Sequence, residues 1–248
     1  MTISRIYNTE IETFARSIPI VDSSDIQKTR DAVTDYRIHM ESEGLARPSD
    51  PSIAETDTII PGLPNAPDIK IRIYTPNNLP SPAPAYINFH GGGFIFGDLD
   101  SEHARTLAIS KGCQAIAITV DYRLAPEHPY PAAIDDCYAS LIWLVNNAEN
   151  IGIDTSRIVV GGGSAGGNLA ASVALMARDN HGPSICYQML IYPALDDRAN
   201  TQSMLDGKNT YVITSQNVLD MWNYYLGHER INIPYYAAPS RASDLSNL

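Results

Sequence analysis

The chain has 248 residues, 44% of them hydrophobic and 18% charged, with 16 Gly and 17 Pro. This ordinary globular balance excludes a disordered, collagen-like or coiled-coil protein. Its 17 basic and 28 acidic side chains leave a net charge of −11, and no Lys/Arg cluster interrupts that balance, so nucleic acid is excluded as a partner.

Residues 1–6 lack the apolar run of a signal peptide, and the longest helical apolar stretch, around residues 169–177, is too short to span a bilayer. The chain therefore reads as soluble and cytoplasmic. Ile26, Val33, Tyr36 and Met40 recur at helical spacing, and Gly44 and Pro48 supply a stop, so residues 1–48 read as a helical appendage. From Ile53 the period changes to two: Ile69, Ile71 and Ile73 alternate with Lys70, Arg72 and Tyr74.

Short apolar runs at 85–89, 115–120, 157–160 and 185–192 then alternate with helical stretches at 103–111, 133–147 and 165–179. That alternation predicts an α/β core over residues 49–197, a mostly parallel sheet with helices on both faces. Over 198–234 the strand signal disappears and a helix at 215–226 carries Val218, Leu219, Trp222 and Tyr225 on one face, which reads as an insertion. The aromatic residues Trp222, Tyr224, Tyr225, Tyr235 and Tyr236 suit either its interior or the lining of a pocket. Residues 235–248 read as the run-in to a further strand. The three cysteines, Cys113, Cys137 and Cys186, are odd in number and widely spaced; they read as buried free thiols, and no His/Asp/Glu set has metal-ligand spacing.

Two segments carry chemistry. Gly162-Gly163-Ser164-Ala165-Gly166 matches G-x-S-x-G between a strand and a helix, where a serine nucleophile on a sharp turn needs small neighbours and gains from the helix N-terminus. His90-Gly91-Gly92-Gly93 follows the strand 85–89, and such a loop can turn backbone N–H groups toward an oxyanion. The sequence thus nominates Ser164 as nucleophile and the N–H groups of Gly92, Gly93 and Ala165 as the oxyanion hole.

Together with Asp121-Tyr122-Arg123-Leu124-Ala125-Pro126-Glu127, Gly163-Ser164-Ala165-Gly166-Gly167-Asn168 and Tyr192-Pro193-Ala194-Leu195-Asp196, the His90-Gly91-Gly92-Gly93-Phe94 segment resembles the signatures of the hormone-sensitive-lipase-like α/β-hydrolase esterases. The likeness is close over residues 69–196. It implies hydrolysis of short or medium acyl esters without a cofactor, a cap formed by residues 1–48 and 198–234, and a structural part for residues 121–127 beneath the serine turn. The resemblance also implies that His90 and Gly91 shape the oxyanion loop and that His90 is not the base. The family usually has Asp where this chain has Gly163, which implies a more flexible turn and one lost brace.

The triad order is Ser, then acid, then His, and the resemblance puts the last two on loops beyond Leu248, so the α/β-hydrolase fold is expected to lack its last strands and helices and the activity to be weak or absent. Only His181 and His228 follow Ser164. His181 lies past a helix roughly 20 Å long, and His228, with Asp196, Asp197 or Asp206, is the alternative within the chain. Two rival readings are a catalytically inactive ligand-binding homologue and a nucleotide site, since Gly161, Gly163 and Gly166 also spell G-x-G-x-x-G. Against the latter, several strands precede the motif and residues 184–189 contain no acid. The strand at 185–192 is expected to be an open sheet edge, through which copies of the chain would associate unless the tail covers it.

Overall fold

The computed structural model describes residues 8–18, 21–44 and 47–248. The chain runs through α1 (Thr9–Ser17) and α2 (Ile26–Ser42), then β1 (Ile53–Ile60), β2 (Ile69–Pro76) and β3 (Ala83–Phe89). There follow α3 (His103–Cys113), β4 (Ile116–Asp121), α4 (Ala132–Asn146), α5 (Ala148–Ile151), β5 (Ile153–Gly163), α6 (Ala165–Asp179) and β6 (Tyr187–Ile191), with α7 (Gln202–Asp206) and α8 (Ser215–Leu226) last. These elements divide into two compact units, Met1–Ala46 with Arg198–Met221, and Arg47–Asp197 with Trp222–Leu248.

The larger unit holds a six-stranded sheet in the order β1-β2-β4-β3-β5-β6. β1 and β2 pair antiparallel, as do β2 and β4, and the pairs β4/β3, β3/β5 and β5/β6 are parallel. This is the mostly parallel sheet expected from the alternating pattern, in the arrangement that the family resemblance implies. Central strands buried on both faces are mostly apolar: Ile87, Phe89, Ile118, Val120, Ile158 and Val160 are all buried, each contributing roughly 1.5–3 kcal/mol. β1, at the edge, buries only Ile53 and Ile60 at its ends.

Topology positions the site. From β3 the chain passes through α3 to β4 on one side, then through α4 and α5 to β5 on the other side of β3. The direction of winding reverses at β3, so the loops leaving β3 and β5 open next to each other at the carboxyl edge, where α/β sheets form their crevice. Register makes this concrete, because Phe89 lies opposite Gly162.

Differences from the sequence reading have local causes. Cys137 is buried, but Cys113 and Cys186 are exposed. Cys113 ends α3, and Cys186 leads into the outer strand β6, so only the thiol on the inward face of α4 is covered. Residues 235–248 form no strand. Instead the hydroxyls of Tyr235 and Tyr236 donate to Asp179 Oδ2 at 2.8 and 2.7 Å, Arg178 Nη1 donates to the carbonyls of Asp244 and Ser246, and Ala237, Ala238 and Pro239 are buried.

The smaller unit is helical. Asn8 caps α1 by accepting from Glu10 N–H, and Asp25 caps α2 by accepting from Lys28 N–H. Tyr211 joins α1 to the later segment, donating to Glu12 Oε1 at 2.9 Å while Arg16 Nη2 donates to its oxygen at 2.6 Å. Asn217 on α8 donates to the Val21 carbonyl at 3.0 Å. Ile11 and Phe14 of α1 are 62% and 61% exposed. Among the described residues no helix is long and apolar enough to cross a membrane.

Candidate active site

Ser164 occupies the single residue between β5 and α6 with φ 54° and ψ −116°, a left-handed conformation that costs a non-glycine residue on the order of 1–3 kcal/mol and persists only when its surroundings impose it. They do so through three backbone hydrogen bonds. Ser164 N–H donates to the Ile191 carbonyl at 3.0 Å, and its carbonyl accepts from Ala194 N–H at 3.0 Å and Asn168 N–H at 3.1 Å. The side chain makes no capping bond, leaving the hydroxyl at the positive end of α6.

The turn is possible only because its neighbours lack side chains. A Cβ on Gly166 would stand 1.9 Å from the Phe89 carbonyl oxygen, and one on Gly162 would stand 2.2 Å from the same atom. β3 and the start of α6 therefore close on the turn from both sides. Asn168, one turn into α6, holds the segment after β6 by donating from Nδ2 to the carbonyls of Ala194 at 2.9 Å and Ala237 at 3.2 Å.

The loop after β3 is anchored through His90. Its ring is fully buried, stacks on Tyr122 at 4.1 Å between centroids, and donates from Nδ1 to the Gly91 carbonyl at 2.7 Å. That bond selects the Nδ1–H tautomer, and burial lowers its pKa to about 4, so the imidazole is neutral near pH 7. Tyr122 donates its hydroxyl to the His90 carbonyl at 2.7 Å, and Ala125 N–H donates to the Phe94 carbonyl at 2.9 Å. Residues 121–127 thus brace this loop, whereas the sequence reading set them beneath the serine turn. Phe94 stacks on Tyr225 at 3.8 Å and tilts against Trp222; both α8 residues are buried there.

The N–H groups divide by role. Gly91 N–H donates to Glu102 Oε1 at 3.1 Å. Among the described residues, the N–H groups of Gly92, Gly93 and Ala165 have no acceptor, and all lie on the adjacent loop and helix start. Glu102 is a contact the sequence reading missed.

The remaining polar candidates are committed or distant in the chain. His103 is buried, with Nδ1 2.9 Å from Tyr74 Oη and Nε2 2.9 Å from the Pro48 carbonyl. His181 follows the far end of α6, and His228 is exposed after α8. Asp197 is buried and gives both carboxylate oxygens to Arg241, at 2.6 and 2.9 Å. Asp206 lies on α7 in the smaller unit. No group of three His, Cys, Asp or Glu among the described residues is placed to hold a metal ion.

A family model described as an alpha/beta hydrolase fold matches residues 86–248. Esterase LipI of Mycobacterium tuberculosis is 39% identical over 205 residues, which is 82% of this chain and 63% of that protein. An arylesterase of Saccharolobus solfataricus is 35% identical over 182 residues, 73% of this chain and 59% of that one. The chain spans less than two thirds of the length of these two relatives. Among solved structures, a bacterial heroin esterase superposes with a TM-score of 0.90 at 37% identity, covering 97% of this chain and 76% of that one.

Proposed function

Because the chain belongs to the alpha/beta hydrolase fold family, among its hormone-sensitive-lipase-like carboxylesterases, we propose that it supplies the nucleophile and oxyanion hole for hydrolysis of short or medium acyl esters. The observation that carries this reading is the strained Ser164 at the start of α6, brought beside residues 90–93 by the pairing of β3 with β5. Ser164 Oγ attacks the ester carbonyl carbon, and the carbonyl oxygen becomes an oxyanion held by the N–H groups of Gly92, Gly93 and Ala165. The C–O bond to the alcohol then breaks as the departing alkoxide takes up the serine proton, leaving an acyl group on Ser164 whose removal by water waits on a base.

The same proposal holds that no histidine among these 248 residues takes the serine proton. His39, His90, His103 and His128 precede Ser164, against the Ser, acid, His order; His90 is buried with a lowered pKa. His181 is separated from Ser164 by all of α6, and the buried partner nearest in sequence for an orienting role, Asp197, is spent on Arg241. Loss of a triad member costs on the order of 10⁴–10⁶ in rate, and removing the serine from a site already lacking its base costs little more. Turnover is therefore a poor test, and covalent capture is the right one. A fluorophosphonate should label Ser164 slowly, at a rate unchanged by His228→Ala. Rapid labelling abolished by His228→Ala would overturn the assignment of the base, and labelling that survives Ser164→Ala would overturn the nucleophile.

A further inference from the structure

Three backbone and side-chain groups meet behind the serine turn. A Cβ on Gly91 would lie 3.1 Å from the Gly163 carbonyl oxygen and 3.5 Å from Glu102 Oε1, and a Cβ on Gly163 would lie 3.2 Å from the same Oε1. The oxyanion loop, the nucleophile turn and the Glu102 carboxylate therefore touch at one point. Glu102 is the residue before α3 and stands in the N-cap position, yet its side chain makes no capping bond. It turns away from its own helix and accepts the Gly91 N–H at 3.1 Å, while Arg105, one turn along α3, pairs with its other oxygen. Arg105 Nε is buried without a hydrogen-bond partner among the described residues. A capping residue that gives up its cap to bind a loop is positioned by tertiary contact, not by helix chemistry.

We propose that Glu102 is a positioning residue that ties the oxyanion loop to the nucleophile turn, an inference that rests on the acyl-transfer reading of Ser164. By accepting the Gly91 N–H it takes that donor out of the loop and fixes the His90–Gly91 peptide, while His90 Nδ1 holds the Gly91 carbonyl and so the next peptide, leaving the Gly92 and Gly93 N–H groups as the ones presented to the oxyanion. Arg105 offsets the carboxylate charge, which alone would oppose a negative charge developing close by. Gly163 supplies the room: any side chain there would press on Glu102 Oε1, on Tyr192 Cε2 at 3.3 Å and on Arg105 Nη1 at 3.4 Å. Glu102, just before α3, thus supplies a brace at the position where the glycine leaves room for it.

Amide hydrogen exchange at Gly91 and single-turnover acylation of Ser164 by p-nitrophenyl butyrate, both on the 248-residue chain, test this in Glu102→Ala, Glu102→Asp and Glu102→Gln. Gln keeps the reach and the acceptor oxygen, and Asp keeps the charge but loses the reach. Ala and Asp should speed Gly91 exchange about tenfold and slow the acylation rate constant about tenfold at an unchanged half-saturating ester concentration, and Gln should stay within about threefold of the parent on both. Unchanged Gly91 exchange in both Ala and Asp variants would overturn the tie. Faster exchange with unaltered acylation would overturn its part in the reaction. If the parent protein is not acylated at all, the ester hydrolase reading fails, and Gly91 exchange then decides the tie alone.

Discussion

Ser164 is set by backbone contacts that leave its hydroxyl uncapped, and His90 shows the complementary case of a titratable ring consumed by structure. Its buried, stacked imidazole has one nitrogen donating to Gly91 and the other without a partner among the described residues, an arrangement that tolerates only the neutral ring. The consequence for stability has a definite sign. The unfolded histidine takes its proton near the ordinary value of 6.5, and the folded one near 4, so between those values the unfolded chain binds more protons. The contribution is fully present above about pH 6.5 and is lost as pH falls toward 4, by about 3 kcal/mol across the window. Urea unfolding at stepped pH should show this decline in the parent and a smaller one in His90→Asn; equal declines would show that His90 stays solvated.

At the scale of elements, the segment after β4 is locked to α4 by one ion pair. Arg123 Nε and Nη2 donate to Asp136, at 2.9 and 2.8 Å for the shorter bonds, and Arg123 N–H adds a third at 2.9 Å. The Asp136 side chain is 1% exposed, so Arg123→Leu leaves a buried charge with only one backbone donor. A loss of about 3–5 kcal/mol in urea unfolding is expected, partly restored by adding Asp136→Asn; no change would mean water reaches Asp136. How much could be read in advance follows the same physics. α4 and α6 were legible because their apolar faces recur at helical spacing, and the serine turn because its crowding permits only glycine and alanine. β5 is less legible: the apolar run covers only 157–160, whereas the strand spans Ile153–Gly163. The polar Asp154, Thr155 and Ser156 resemble a loop, and Gly161 to Gly163 look like breakers until a neighbouring backbone needs the space. α5 and α7, of four and five residues, are too short for periodicity to show. Glu102 carried no signal at all, because its contact with Gly91 is made by the fold and not by spacing.

For the whole molecule, the sheet ends at β6, which among the described residues pairs only with β5 and exposes 65% of Tyr187. The tail lies along α6 and does not add a strand. An unpaired edge is a template for another strand, and the proposed self-association of the 248-residue chain should appear as a concentration-dependent rise in mass by light scattering, reduced by Tyr187→Lys. A monomer at every concentration would contradict it. On the proposed reading, the junction of β3, β5 and α6 assembles a nucleophile and an oxyanion hole without a histidine base among these residues. Such a site should accept an acyl group from an activated ester, whose phenolate leaves unprotonated while the serine proton passes to solvent, and should release it far more slowly, because expelling the Ser164 alkoxide does need a proton donor. Peptide mapping by mass spectrometry after incubation with p-nitrophenyl butyrate tests this most directly. One butyryl group should accumulate on Ser164, be absent from Ser164→Ala and not appear on Ser172 of α6; an unmodified Ser164, or a butyryl group that persists in Ser164→Ala, would contradict this.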